Sequence, residues 1–466
     1  MRKFFATQIL LIFYVLAQNI FSQSVISEIE RKFPYALWSL SISDDNNKEI
    51  ISHNPDKLMI PASSLKIITS IYSLENLGPD FRFKTEILAD RIKKGIANTL
   101  LIKGYGDMTL GSENFNSNID SILNYVLEAL NKNKIEKIEN LCLDSSLLND
   151  FQEPSWEWQD IGNYYAARVT SFSINDNSYK IYLETYNIGE KTRILKVEPD
   201  PGLEFENYVL TGEEGSGDNS YIYSSPYSSK AVIRGSIGKS SGPFIIKGSL
   251  SNPVEFFLKK LYSFLNSNGV KVKKRGVYYT PVKGNFKLLD TIYSPQLKEI
   301  IKIMNKKSFN FYAESLLRYS LIKKGKIGIE ENRAELSSFL KNAGISNFNI
   351  VDGSGLSRKN AFSCDGFVKI LNYARKKDYF NSFYDSLIKP GDDMAKGHIK
   401  DFGVDKKLNI RIKSGSLNGV RSYVGYINDE NGKSYTFCFI MNNYTTSPSD
   451  IDALFENILS STIGLK

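Results

Sequence analysis

The chain has 466 residues and a formal net charge of +8, from 59 Lys and Arg against 51 Asp and Glu. That length exceeds one ordinary core and predicts two or three domains. With 42% hydrophobic and 24% charged residues, a fibrous or disordered chain is excluded. The basic excess is small and suits an anionic polymer or membrane surface. No cluster of Lys and Arg interleaves with aromatics, so nucleic acid is not an expected partner.

The first residues read as a targeting segment. Arg2 and Lys3 precede an apolar stretch, Ile9 to Ala17, that is too short to span a bilayer comfortably. Ser22 is the expected last residue of a signal peptide over 1–22, and no Cys lies near it to carry a lipid. The expected location is therefore outside the cytoplasm, in a periplasm or on the envelope exterior. No later apolar run is long enough to cross a membrane, so integral membrane association is not expected.

Alternation from Trp38 onward predicts a strand within Tyr35 to Ser43. Ser63 to Leu77 reads as a helix, with Ile67, Ile71 and Leu74 on one stripe and Gly78-Pro79 ending it. From about 80 to 290 the chain reads as β-rich. Short apolar runs such as Thr99 to Ile102, Ile181 to Thr185 and Arg193 to Val197 alternate with Gly and Asn clusters. Helices interrupt this region at Asn118 to Leu130 and Pro253 to Ser267. Lys271 to Arg275 is a solvated turn or strand edge. Helical spacing returns in Ser294 to Met304, Phe309 to Lys323 and Gly328 to Ala343. The end carries a hairpin, Val420 to Ile427 and Ser434 to Asn442, and an amphipathic helix, Ser449 to Ile463. The expected fold is α/β (α+β). One unit, residues 23–80 and 290–466, is interrupted by an inserted region, 81–289, sized for two small domains.

Three Cys (Cys142, Cys364, Cys438) and two His (His53, His398) limit the chemistry. Nothing in the sequence pairs the Cys, and no structural disulfide is expected. Neither His sits in a recognisable triad setting, and two His argue against a His-built metal site. No metal and no cofactor are expected.

Three short motifs occur in order: Ser63-Ser64-Leu65-Lys66, Ser308-Phe309-Asn310 and Lys413-Ser414-Gly415-Ser416. Positions i and i+3 share a helix face, so Lys66 can bring its amine to the Ser63 hydroxyl and act as its base. A helix N-terminus at Ser63 favours an alkoxide. Ser308 can relay a proton and Asn310 can hold an amide. Lys413 supplies charge for a carboxylate, and Ser414 can hydrogen-bond it. Gly415 lets an extended ligand lie against a strand edge. The N–H groups of Ser63 and Ser416 suit an oxyanion hole. Each motif alone is weak: Ser236, Ser338 and Ser386 also open S-x-x-K spacings, and Ser112 and Ser173 open S-x-N. Order and setting separate the three from these.

The motifs match the set used by penicillin-binding proteins and class A β-lactamases. Further segments extend the likeness: Gly104-Tyr-Gly-Asp-Met-Thr-Leu110, Trp156-Glu-Trp-Gln-Asp160 with Tyr164-Tyr165, Met304 to Asn310, Asp352-Gly-Ser-Gly-Leu-Ser-Arg358 and Lys413 to Gly419. With these the chain resembles the class C low-molecular-mass penicillin-binding proteins, the D-alanyl-D-alanine carboxypeptidase/endopeptidase family. The resemblance implies a split transpeptidase-like domain whose insertion lies between the first two motifs. It implies Ser63 acylation by peptidoglycan stem peptides ending in D-Ala-D-Ala, and by β-lactam antibiotics. It also implies a pocket for a diaminopimelate side chain, with Asp160 at the ammonium, Arg358 at the carboxylate and Tyr165 on the aliphatic part. Departures are Ser414 where Thr is common, Phe309 where Asp or Asn is usual, Asn418 where Gln can occur in the substrate pocket, and Pro390 to Lys396 in place of a Gly-rich stretch. Two other readings follow from the same residues: a serine β-lactamase, which needs a deacylating base, and a wall-binding protein with a retired site.

Overall fold

The computed structural model of the protein describes residues 24–148, 152–322, 329–395 and 397–464. The expected signal peptide, 1–22, lies outside these residues. The chain divides into two compact units. The first takes the chain up to Glu75, Ile301–Ser308 and the chain from Ala334 onward; the second takes Asn76–Ile300 and Phe309–Arg333.

The first unit is built on a five-stranded antiparallel sheet. Its order is Asn409–Leu417, Val420–Asn428, Ser434–Asn442, Leu37–Asp44 and Glu49–His53. The hairpin turn is set locally. The Asp429 carboxylate accepts from the N–H groups of Asn431 and Lys433, and Gly432 takes φ +80°. The two hairpin strands are buried along nearly their whole length, because they sit centrally and both faces are covered. On one face the C-terminal helix Pro448–Gly464 lays Phe455 against Tyr423 and Phe439, with ring centroids 5.2 and 4.9 Å apart. The helix Cys364–Ala374 packs on Ser434–Asn442 and Leu37–Asp44. Cys364 and Cys438, which nothing in the sequence pairs, face each other in this core with sulfurs 2.7 Å apart.

The second unit holds, among the described residues, three sheets. Five strands run in the order Lys271–Tyr278, Lys137–Asp144, Ile96–Gly104, Lys84–Asp90 and Lys287–Tyr293. Two three-stranded sheets use Ser178–Ser249. Ile119–Lys132 starts at an Asn118–Ser121 capping box. Pro253–Ser267 starts with Pro at its first position and Asn252 accepting from the Glu255 N–H. Both helices bury an apolar face in the core of this unit. Lys271–Tyr278 is an edge strand whose three Lys are all exposed, which accounts for the basic run.

Two elements differ from their sequence-based outline. Tyr35 is 86% exposed and the first strand begins at Leu37. The expected helix from Ser63 begins as a 3-10 turn, Ala62–Leu65, and becomes α-helical at Lys66. Tertiary contacts tighten that turn. Ser422 Oγ donates to the Pro61 carbonyl at 2.6 Å, and Ser64 Oγ bonds Ser422 Oγ at 2.8 Å.

Candidate active site

In the first unit, Ser63 opens the helix that carries Lys66. Ala62 just before it has φ +47°, a left-handed backbone unusual for Ala, which turns Ser63 out of the incoming loop. Lys66 is fully buried, and its Nζ donates to Ser63 Oγ at 2.9 Å and to the Ser354 carbonyl at 2.7 Å. Burial of a lysine with its amine on a hydroxyl is the arrangement a base needs.

Asn409–Leu417 is the edge strand of the sheet and carries the third motif. At Gly415 the strand presses on the turn before Ser63. A Cβ there would sit 2.6 Å from the Pro61 carbonyl oxygen and 2.8 Å from the Ser63 nitrogen. Only glycine allows that approach. Ser414 and Ser416 share one face of the strand; Ser414 is buried and Ser416, nearer the strand end, is exposed. Ser416 Oγ accepts from Arg421 Nη1 at 2.9 Å, and Arg421 is itself clamped by Asp452 at 2.8 and 2.7 Å.

Lys413 Nζ donates to Ser308 Oγ at 3.0 Å and to the Ser414 carbonyl at 2.6 Å. Burial pushes its amine down to about 7. Ser308 ends the helix Leu297–Lys306 through a short turn and takes φ +53°. That second left-handed residue is held by its surroundings. Asn305 donates to Ser70 Oγ at 2.9 Å and Ser386 Oγ at 2.8 Å, and Lys306 pairs with buried Asp392 at 2.5 Å. Asp392 lies in Pro390 to Lys396, the stretch that departs from the Gly-rich pattern; Lys396 itself is outside the described residues. Burial drives the Asp392 carboxyl up, but Lys306 and the Met394 N–H more than offset this and hold it below the ordinary range. The sequence reading singled out Met304 to Asn310 and Pro390 to Lys396 but gave no role to Asn305, Lys306 or Asp392, and it missed Arg421 and Asp452.

Arg358 Nη2 donates to the Asn418 carbonyl at 2.8 Å, so two expected substrate-pocket residues meet within the first unit.

The second unit holds the other expected residues. Asn310 is buried at the start of Asn310–Ile322 and donates to the Tyr165 carbonyl at 3.0 Å. Tyr165 donates its hydroxyl to Asp160 at 3.0 Å. Burial and then the Asp160 charge hold the phenol well above its usual range. Asp160 and Tyr165 are thus a bonded pair. Phe309, the departure within the second motif, packs edge-on against Tyr312 at 4.6 Å. Glu314, one turn after Asn310, is buried and accepts from Arg318 Nε at 2.6 Å. Among the described residues no group of three or more His, Cys, Asp and Glu could hold a metal, and no helix is long and apolar enough to cross a membrane.

The model of a family described as D-Ala-D-Ala carboxypeptidase 3 (S13) matches residues 26–460. Over 449 residues the chain is 26% identical to penicillin-sensitive carboxypeptidase A of Dictyostelium discoideum, covering 88% of this chain and 83% of that protein. The fold is similar to the crystal structure of penicillin binding protein 4 (dacB) from Haemophilus influenzae. The TM-score is 0.79 at 23% identity, over 94% of this chain and 98% of that one. A structure of the same relative complexed with a β-lactam matches with a TM-score of 0.76 at 22% identity, over 94% and 99%.

Proposed function

Because the chain belongs to the D-Ala-D-Ala carboxypeptidase 3 (S13) family, we propose that it is an exported serine D-alanyl-D-alanine carboxypeptidase/endopeptidase acting on peptidoglycan stem peptides. The observation that carries this reading is the Lys66 amine on the Ser63 hydroxyl at 2.9 Å, with both on one helix turn.

Lys66 takes the Ser63 proton, and Ser63 Oγ attacks the carbonyl of the penultimate D-Ala. The N–H groups of Ser63 and Ser416 hold the tetrahedral oxygen. The C–N bond breaks, and the leaving D-Ala amine takes a proton through Ser308. Water then hydrolyses the ester and regenerates Ser63. On a cross-link the leaving amine belongs to another stem, which makes the same step an endopeptidase reaction. Asn310 holds the substrate amide. Lys413 faces the terminal carboxylate, and a carboxylate beside it favours the ammonium that burial disfavours. A β-lactam acylates Ser63 in place of the peptide.

The proposed catalytic domain is 23–80 with 290–466, which carries Ser63, Ser308, Asn310 and Lys413, and 81–289 is the proposed insertion. Asp160, Tyr165, Arg358 and Asn418 are the proposed contacts to the stem side chain. A β-lactamase needs a deacylating base, and the Glu314 carboxylate is engaged by Arg318.

The test is release of D-Ala from a stem pentapeptide by the purified protein. Ser63-dependent release supports the reading. Failure of folded protein to release D-Ala or to open a cross-linked dimer counts against it.

A further inference from the structure

A fully buried carboxylate organises the loop beneath the nucleophile. Asp352 Oδ1 accepts from the N–H groups of Ser354 at 3.0 Å and Gly355 at 2.6 Å, and from Asn360 Nδ2 at 3.1 Å. Its Oδ2 accepts from the Ser357 N–H at 2.7 Å. Four donors on one carboxylate fix the backbone of 352–357 in a tight coil.

That coil touches the site at three points. The Ser354 carbonyl accepts from Lys66 Nζ at 2.7 Å, and the Gly353 carbonyl accepts from Thr69 Oγ1 at 2.6 Å, one turn after Lys66. Gly355, at φ +82°, lies flat on the turn before the nucleophile. A Cβ there would stand 1.8 Å from the Ala62 carbonyl oxygen.

We propose that Asp352 is a positioning residue: by coiling 352–357 it delivers the Ser354 carbonyl to Lys66 and so aims the Lys66 lone pair at the Ser63 proton. The inference rests on Lys66 as the base of the proposed function. A neutral amine has two N–H donors and one lone pair. An acceptor that claims an N–H restricts where the lone pair points. Once Lys66 has taken the Ser63 proton, the same carbonyl faces an ammonium and stabilises it in the transition state. Asp352 acts through the loop and touches no reacting atom.

The experiment is stopped-flow acylation by a fluorescent penicillin, resolved into the binding constant K and the acylation rate constant k2, with the stoichiometry of label at completion. Asp352→Asn replaces one acceptor oxygen by an amide that opposes a backbone N–H. The expected result is a fall in k2 of about tenfold or more, with K little changed and labelling still complete. A purely structural carboxylate gives the opposite pattern. The labelled fraction falls, while the fraction that reacts keeps the wild-type k2, and this overturns the proposal. If Asp352→Asn does not fold, Asn360→Ala removes one of the four donors and is read instead. It is expected to lower k2 about two- to fivefold, and an unchanged k2 overturns the proposal. Failure of the wild type to label at all strikes the proposed function, not this inference.

Discussion

Lys413 Nζ donates to Ser308 Oγ at 3.0 Å, which joins the third motif to the second across the first unit. Both side chains are proposed to face the leaving end of a bound peptide, so their protonation is open to measurement.

Burial sets the Lys413 amine at about 7. In the free enzyme it is an ammonium below that pH and a neutral amine above it. Carboxylate capture needs the ammonium, so kcat/KM for a peptide with a free C-terminal carboxylate is expected to fall as pH rises through about 7. A substrate with that carboxylate amidated is expected to lack this alkaline limb. Parallel profiles for the two substrates would remove Lys413 from carboxylate capture.

The Lys306–Asp392 pair anchors the turn that ends in Ser308. Removing one partner of a buried pair leaves a charge unpaired, at about 3–5 kcal/mol. Lys306→Met is expected to lower the free energy of unfolding in urea by that amount and to slow acylation. The Asp392 carboxyl titrates below its ordinary range, so the pair's contribution is present above the unfolded carboxyl range and is lost as pH falls through the folded one. Urea melts of wild type and Asp392→Asn should therefore differ at neutral pH and converge in acid.

Gly355→Ala meets the Ala62 carbonyl with its new methyl and also forces Ala into a left-handed backbone. It is expected to cost at least about 2 kcal/mol of stability. Gly344, at φ +80° with nothing near its Cβ position, is the control: Gly344→Ala is strained but not crowded and should lose less. Equal losses would mean that the loop yields freely.

Arg358 is proposed to meet a carboxylate on the stem side chain. Arg358→Ala is expected to raise KM about tenfold or more for a stem with diaminopimelate and little for one with an unbranched apolar third residue. Tyr165→Phe removes a hydroxyl that donates to Asp160 at 3.0 Å, and should raise KM for the same diaminopimelate stem by a smaller factor. Equal effects on both stems would take these residues out of specificity.

Much of this was legible because it is local. The S-x-x-K spacing places Ser63 and Lys66 on one turn whatever the rest of the chain does. The final hairpin could be outlined from its apolar runs and the Asn428 to Gly432 turn. What escaped was non-local. The left-handed Ala62 and Ser308 are imposed by packing, and no residue preference predicts them. Ser422 on the Pro61 carbonyl, Asp392 on Lys306 and Arg421 on Ser416 each join segments distant in the chain or set by strand register. Asp352 stood in a recognised segment, but its work needs the folded loop to be seen. The Asp160–Tyr165 bond was missed because two polar residues five apart, on two separate short helical turns, carry no periodic signal.

The central claim is that Ser63 forms an acyl-enzyme with Lys66 as its base. The measurement that tests it most directly is labelling of the purified protein with a fluorescent penicillin, followed by mass mapping of the labelled peptide, beside Ser63→Ala and Lys66→Met. A slowly decaying label on the peptide that contains Ser63, absent from Ser63→Ala and slowed at least about a hundredfold in Lys66→Met, is the predicted result. A label on another residue, or none on folded wild type, contradicts it.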